Sequence, residues 1–298
     1  MRKSVLYPAL ALVLGILAAA LRMWQRFAGY DESGLPVRFA FPSIVLAVFL
    51  LLCAGAFLYA ALRQPKALED QKSALPRGDW PALLFAAAGV LVLAGGVLNL
   101  LGFFQSYLGY SQVLYSSQRE QQEALRVFLS NSLLCGLLGL SSVPAAAALL
   151  GRAKLAKTGA EPKPFAVMMP SIFCWLWLIE VYRGHTSNPI LWDYVLLLLA
   201  IVFLLISTYE RAGFAFGAGK PRRTVFTSLV SVLLCPAALP DCGGAANALS
   251  LAALAALSWA ELTALLDCFE YRPKRLVQEG ESPSPAAETT QQEDTPHE

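Results

Sequence analysis

The chain has 298 residues, of which 56% are hydrophobic and only 15% are charged, and its formal net charge is +2. Soluble proteins carry about 25% charged residues, so this composition excludes an ordinary soluble domain. Repeated apolar runs of about 20 residues predict an all-α fold: a polytopic helical membrane protein with about eight transmembrane helices and no soluble domain. The lipid bilayer is therefore the first expected partner, and no nucleic-acid partner is expected.

Four predicted spans occupy the amino-terminal half of the chain, at about residues 5–21, 39–62, 80–104 and 127–150. The first span follows the basic start Met1-Arg2-Lys3 and contains Ala18-Ala19-Ala20. Two interpretations of it stay open: an uncleaved first helix or a cleaved signal peptide. In the third span, the pair Gly95-Gly96 predicts a close helix–helix contact.

The longest polar connection lies between the third and fourth spans, from Gln105 to Arg126. Its first half is rich in tyrosine, which is typical of an anchor at the membrane interface, and a ligand-binding role is the alternative. Its second half, from Ser117 onward, is a good helix former. We expect that helix to run straight into the fourth span.

Four further spans are predicted at about residues 165–182, 190–209, 224–239 and 245–269, and the seventh is the shortest and weakest. A glycine-rich segment follows the sixth span, but its Lys220 is followed by Pro221, so the spacing of a phosphate-binding loop is missing. A basic loop at the lipid head groups is the better interpretation. Residues 272–298 are rich in Pro, Glu, Gln, Ser and Thr and predict a disordered cytoplasmic tail behind a transmembrane domain of residues 1–271.

The positive charges are distributed unevenly between the two sides of the membrane. With eight spans and the amino terminus inside, 17 of the 23 Lys and Arg residues lie on the inner side and the remaining six lie on the outer side. Because inner loops carry an excess of basic residues, both termini are expected to be cytoplasmic. The short loops and this bias indicate the plasma membrane of a prokaryote.

The most unusual stretch is the connection between the fifth and sixth spans, Glu180 to Tyr194, which this orientation places on the outer face. One interpretation of this stretch is purely structural. Asn188-Pro189 caps and opens the sixth helix, and Asp193 lies in the early part of that helix. Arg183 and His185 follow the fifth helix, and all three charged groups suit the dipoles of the helix ends.

The second interpretation of this stretch is a binding site. An ionisable group such as Glu180, about one turn inside its span, is a candidate for function. The candidate substrate-binding residues are Glu180, Arg183, His185, Asp193 and Tyr194, which suit a small polar, cationic or zwitterionic solute or a proton. We expect Glu180 to point into the helix bundle, with Arg183, His185 or Asp193 as its nearest charged partner, because a carboxylate that faces hydrocarbon is costly.

Glu261 is the second notable carboxylate. The eighth span enters from the outer side near Ala245, so Glu261 lies in its cytoplasmic half. At about 1.5 Å of rise per residue, most of the membrane separates it from the outer residues. Glu261 is a candidate proton or cation relay, and the alternative is a carboxylate that pairs with a neighbouring helix or reaches the interface.

The six cysteines form no Cys-x-x-Cys pattern, and His185 is one of only two histidines, so no metal site and no cofactor are expected. Cys235 and Cys242 flank a short outer connection. They are a candidate disulfide, which requires their Cα atoms to lie within about 7 Å of each other. The alternative is two free thiols.

These features favour transport of a small solute or ion through a site at the hairpin between the fifth and sixth spans. The alternative is a membrane sensor or scaffold that acts on a cytoplasmic partner through its basic loops and its tail. A homo-oligomer is a further candidate assembly. No catalytic residues are expected, because the sequence contains neither His-Glu-x-x-His nor Gly-x-Ser-x-Gly.

Overall fold

The computed structural model describes residues 3–30, 37, 40–66, 68, 71–113, 118–185, 190 and 193–280. Nearly all of these residues are helical, and none of them lies in a β-strand. Eight of the helices are long and apolar enough to cross a membrane. The predicted fold class, a polytopic all-α membrane protein, is therefore confirmed.

The helices of this part of the chain are α1 (Lys3–Ala28), α2 (Phe41–Leu62), α3 (Asp79–Val113), α4 (Gln118–Val127), α5 (Leu133–Thr158), α6 (Pro164–Gly184), α7 (Val195–Ala215), α8 (Pro221–Ala238) and α9 (Ala245–Gly280). All except α4 are spans, and they lie close to the apolar runs of the sequence. Helices α1 and α3 continue past those runs, to Ala28 and Val113.

The connection before α5 is helical throughout its second half. Helix α4 leads into a π-helical turn, Phe128–Ser132, which leads directly into α5. The predicted continuity of this helix with the fourth span is thus confirmed, with a wider turn that the sequence did not indicate. Phe128 stacks on Tyr110 of α3, with 5.3 Å between the ring centroids, and this contact holds the turn against α3.

Helix α8 lies at the centre of the bundle, where it packs against α1, α2, α7 and α9. In the most apolar stretch of α8, 83% of the residues are buried. Yet the mean hydropathy of this stretch, 1.5, is the lowest among the eight spans. Both properties have one cause, since a helix surrounded by protein packs well with small hydroxyl residues. For example, Ser228 of α8 lies 3.0 Å from Ser207 of α7, measured between their hydroxyl oxygens.

Close contacts between helices are formed at glycines. A Cβ atom on Gly96 of α3 would lie 1.7 Å from the hydroxyl oxygen of Ser142 on α5. On the adjacent Gly95 it would lie 3.0 Å from the hydroxyl oxygen of Ser250 on α9. The predicted close contact at this glycine pair is confirmed, and it involves two different helices.

The bundle has two ends, because consecutive spans run in opposite directions. We call the end with the α6–α7 connection the hairpin face, and the end with the arginine- and lysine-rich connections the basic face. On the basic face, residues 71–78 lie over the helix ends and contain a 3₁₀ turn that packs against α7 and α9. We call these residues the cover segment. The Gly78 N–H donates to the Ala156 carbonyl at 2.9 Å, and the Gly219 N–H donates to Gln71 Oε1 at 2.8 Å.

The carboxyl-terminal helix is longer than expected. Helix α9 begins at Ala245, and its span ends at Phe269, but the helix continues to Gly280. It therefore extends into the residues predicted as tail, because the sequence between Phe269 and Gly280 still contains good helix formers such as Leu276 and Gln278. The rest of the predicted tail, residues 281–298, lies outside the described residues.

Candidate functional site

The connection between α6 and α7 brings His185 and Tyr194 together. Helix α6 ends at Gly184, and the backbone N–H of His185 donates to the Val181 carbonyl at 3.2 Å. Nδ1 of His185 lies 2.8 Å from the same carbonyl oxygen. The imidazole ring lies 4.8 Å, between centroids, from the ring of Tyr194, which is the N-cap residue of α7. The turn thus holds an imidazole against a phenol on the hairpin face.

Glu180 lies one turn before the end of α6 and is partly buried. Its Oε2 atom is buried and accepts no hydrogen bond from the described residues. Two groups interact with this carboxyl electrostatically: His185 at the end of the same helix, and Cys135 in the first turn of α5. The carboxyl therefore lies on the side of α6 that faces α5.

The other two expected partners of Glu180 lie elsewhere. Arg183 is exposed on the last turn of α6, and no ion pair of the described chain joins it to Glu180. Asp193 was expected in the early part of a helix, but α7 begins only at Val195, so Asp193 precedes the helix. The cap predicted at Asn188-Pro189 lies outside the described residues.

Asp193 is held by a contact with the end of α1. Its Oδ1 atom accepts a hydrogen bond from the hydroxyl group of Tyr30 at 2.8 Å. Burial raises the pKa of Tyr30 above its ordinary value of 10.0, and the hydrogen bond to Asp193 acts in the same direction. The cause is that an ionised phenol would be poorly hydrated and would face a carboxylate. Tyr30 therefore remains a hydrogen-bond donor at neutral pH and links α1 to the hairpin.

A buried ion pair on the hairpin face involves two residues that the sequence did not single out. Arg22 of α1 is 0% exposed, and its Nε and Nη2 atoms each lie 2.9 Å from Oδ1 of Asp241. Arg22 also donates to Gln25 Oε1 at 2.7 Å, and Gln25 donates to Ser43 Oγ at 2.8 Å. This network fastens α1 to α2 and to the end of α8.

Sequence reasoning missed this pair because each residue lies at the end of an apolar run, where a charged side chain usually reaches the head groups. The two positions are also 219 residues apart. One signal was present: Asp241 is the only acidic residue between Glu210 and Glu261. A lone acid in so long an apolar stretch is a candidate for a buried pair.

Glu261 lies at the basic face and is 1% exposed. Its Oε1 atom accepts a hydrogen bond from Nη2 of Arg152 at 2.6 Å, and its Oε2 atom lies 4.0 Å from Nε of Arg211. Of the two sequence interpretations of Glu261, this geometry corresponds to pairing with a neighbouring helix. The sequence places both arginines in basic connections on the inner side, whereas the structure buries each of them to 4% exposure.

Cys235 and Cys242, the candidate disulfide, are two free thiols in the structure. The Cys242 thiol donates to the Ala238 carbonyl at 3.6 Å. Burial, followed by the nearby Asp241 carboxylate, raises the pKa of Cys242 to about 11. Little thiolate is therefore present at neutral pH, and the thiolate is the form that reacts toward a disulfide.

Within the described ranges, no group of three His, Cys, Asp or Glu residues is arranged to hold a metal ion. No protein-family model matches the chain, and no curated protein and no solved structure matches it. The class of protein is therefore defined by the fold itself, which is that of a multi-pass membrane protein with eight spans.

Proposed function

We propose that this protein transports a small solute or ion and binds it at a polar site on the hairpin face. The single observation that carries the proposal is Glu180, whose buried Oε2 atom has no hydrogen-bond donor among the described residues. A carboxyl group that serves packing alone is normally satisfied by a donor, because a buried acceptor without one is costly. A carboxyl oxygen without a donor from the protein is free to accept a hydrogen bond from a solute that binds and dissociates.

The surroundings of Glu180 support a cationic or zwitterionic solute, or a proton. His185 interacts with the same carboxyl, and imidazole is the side chain that changes charge nearest to neutral pH. The π-helical turn of residues 128–132 packs against α6, and π-helical turns within helices often lie at functional sites.

The ion pairs at the two ends of the bundle also support transport. Arg22 and Asp241 join helices on the hairpin face, and Arg152 and Glu261 join helices on the basic face. In alternating access, one end of a bundle opens while the other end stays closed. Charged pairs at both ends suit such a cycle, and we propose that the hairpin face is extracellular, with both termini cytoplasmic, in the plasma membrane of a prokaryote.

A thermal-stability screen tests the site. Purified protein in detergent is heated with a panel of polyamines, amino acids and quaternary ammonium compounds, since a bound solute raises the Tm. We expect the stabilising solute to lose its effect on Glu180→Gln. The matched control is Glu123→Gln, which changes an exposed carboxyl on α4 at the same face. A solute that stabilises all three proteins equally would place the site elsewhere.

A membrane sensor or scaffold is the second candidate function. The observation that favours it is the extension of α9 beyond its span, from Phe269 to Gly280. Such an extension offers a helical surface to a cytoplasmic partner. Deletion of residues 270–298 removes this extension and the tail and separates the two functions. Solute binding should survive the deletion in a transporter, whereas capture of a cytoplasmic partner should be lost in a scaffold.

A further inference from the structure

The buried residues Arg152, Arg211 and Glu261 hold more positive than negative charge. Each is at most 4% exposed, and the guanidinium group of arginine is protonated at neutral pH. Two guanidinium groups face one carboxylate, so among the described residues one positive charge has no counterpart inside this part of the bundle. A buried charge of this kind is unfavourable unless an anion compensates it.

Arg211 forms a long ion pair with Glu261 but no hydrogen bond through its buried donors among the described residues. Its Nε and Nη2 atoms are buried and donate no hydrogen bond to the described residues. Glu261 Oε2, which is buried and also makes no hydrogen bond with the described residues, lies 4.0 Å from Nε, which is beyond hydrogen-bonding distance. Glu261 instead bonds to Arg152 at 2.6 Å, and Arg152 is further held by the ring of Phe85, 4.5 Å from its guanidinium carbon.

Two adjoining clefts lead from the basic face to these side chains. The inner cleft is lined by Arg152, Arg211 and Glu261 and is roofed by Ala74, Leu75 and Pro76 of the cover segment. The outer cleft is lined by Arg152, Arg77 and Glu161. Arg77 and Glu161 are exposed, and their opposite charges add to zero. The uncompensated positive charge therefore lies at the inner end, beneath the cover segment.

We propose that Arg211 and Arg152 form a binding site for a small oxyanion of the phosphate class beneath the cover segment. The planar guanidinium group places its N–H donors in a fork that matches two oxygens of a phosphate. The inner cleft has no room for a water molecule and the outer cleft has room for about one, so the cover segment must move outward before an anion can enter. This proposal does not depend on transport through the Glu180 site.

Thermal stability in inorganic phosphate tests this proposal on the full-length protein in neutral detergent, with chloride keeping the ionic strength constant. We expect phosphate to raise the Tm of the wild type. Arg211→Gln should weaken the apparent phosphate affinity about tenfold or more, because a charge-assisted pair of hydrogen bonds is lost. The control Arg223→Gln removes an exposed arginine from the same face and should respond as the wild type does.

Two further variants test the same site in other ways, one by changing its charge and one by replacing Arg211→Gln if that variant does not fold. Glu261→Gln raises the local charge by one and should respond at lower phosphate concentrations than the wild type. If Arg211→Gln does not fold, Arg211→Lys replaces it, because lysine keeps the charge but lacks the fork of donors, so the response should still weaken.

A second arm distinguishes a free anion from a lipid head group, since both offer phosphate oxygens. The same proteins are placed in nanodiscs of phosphatidylcholine with or without phosphatidylglycerol. Stabilisation by phosphatidylglycerol that requires Arg211, without any response to inorganic phosphate, would identify a head-group site, whereas a phosphate response in detergent would identify a site for the free anion. The proposal is overturned if neither probe stabilises the wild type, or if Arg211→Gln and Arg223→Gln respond alike.

Discussion

At the scale of the residue, the sequence shows which charged groups lie inside apolar runs but not which partners they meet. Glu180 and Glu261 are recognisable because a carboxylate at such a depth is rare. Arg152 and Arg211 lie at the ends of runs and have the pattern of interface residues, although both are buried. Their pairing with Glu261 depends on how the helices are arranged around α9. The hydropathy of the sequence carries no information about that arrangement.

Tyr30→Phe tests the link between α1 and the hairpin. The substitution removes the hydrogen bond to Asp193, so we expect a loss of about 1 kcal/mol of stability near neutral pH. The raised pKa of Tyr30 means that its contribution is complete below pH 10 and is lost as the pH rises through the folded-state pKa. The gap in Tm between the two proteins should therefore narrow above about pH 10. A gap that is unchanged from pH 7 to pH 11 would contradict this assignment.

Asp241→Asn tests the buried pair on the hairpin face. The change leaves the guanidinium of Arg22 buried without its carboxylate, and we expect a destabilisation of about 3–5 kcal/mol. Replacement of both residues by leucine should recover most of this loss, because no uncompensated charge remains. Thermal denaturation of the single and double variants measures both effects. If the double variant is less stable than Asp241→Asn, the pair does more than compensate charge.

At the scale of the element, the existence of the spans follows from the sequence, whereas their positions in the bundle do not. The length of each apolar run fixes a helix, because an unpaired backbone is too costly in lipid. The weakest run became α8, the most buried span, since its hydroxyl residues meet other helices rather than lipid. The π-helical turn before α5 has no hydropathy signal, because it adds one residue to a turn without changing which residues are apolar.

Gly15→Ala tests the packing of α1 on the central helix. A Cβ atom at Gly15 would lie 2.7 Å from the carbonyl oxygen of Leu233 on α8, and a backbone atom cannot move aside as a side chain can. We expect a loss of about 1–3 kcal/mol from this overpacking. The control is Gly55→Ala on α2, where nothing lies within 4 Å of the new atom, and its Tm should not fall. Equal Tm values for both variants would show that α1 and α8 do not approach so closely.

At the scale of the whole molecule, the sequence predicts the class of protein, a multi-pass membrane protein, and its orientation in the membrane. The eight apolar runs define the bundle, and the excess of Lys and Arg in alternate connections defines the expected inner side. The structure groups those connections on one end, the basic face, where the cover segment lies over the helix ends. The sequence did not predict this cover, because it depends on contacts between connections that are far apart along the chain.

Cysteine labelling of intact cells tests the orientation. Glu123→Cys and Thr158→Cys place single thiols at exposed positions on the hairpin face and the basic face, in a variant whose six native cysteines are replaced. An impermeant maleimide should label position 123 and should reach position 158 only after permeabilisation. The opposite labelling pattern would show that the bundle has the reverse orientation, with the Glu180 site on the cytoplasmic side.

The central claim is that the bundle moves a solute or ion through a site that includes Glu180. Its most direct test is uptake by proteoliposomes of the solute that stabilises the protein in the thermal screen. We expect the wild type and Glu123→Gln to accumulate it above protein-free liposomes, and folded Glu180→Gln to fall at least about tenfold, as loss of one charged contact implies. Uptake by Glu180→Gln equal to that of the wild type, or no uptake by the wild type, would contradict the claim.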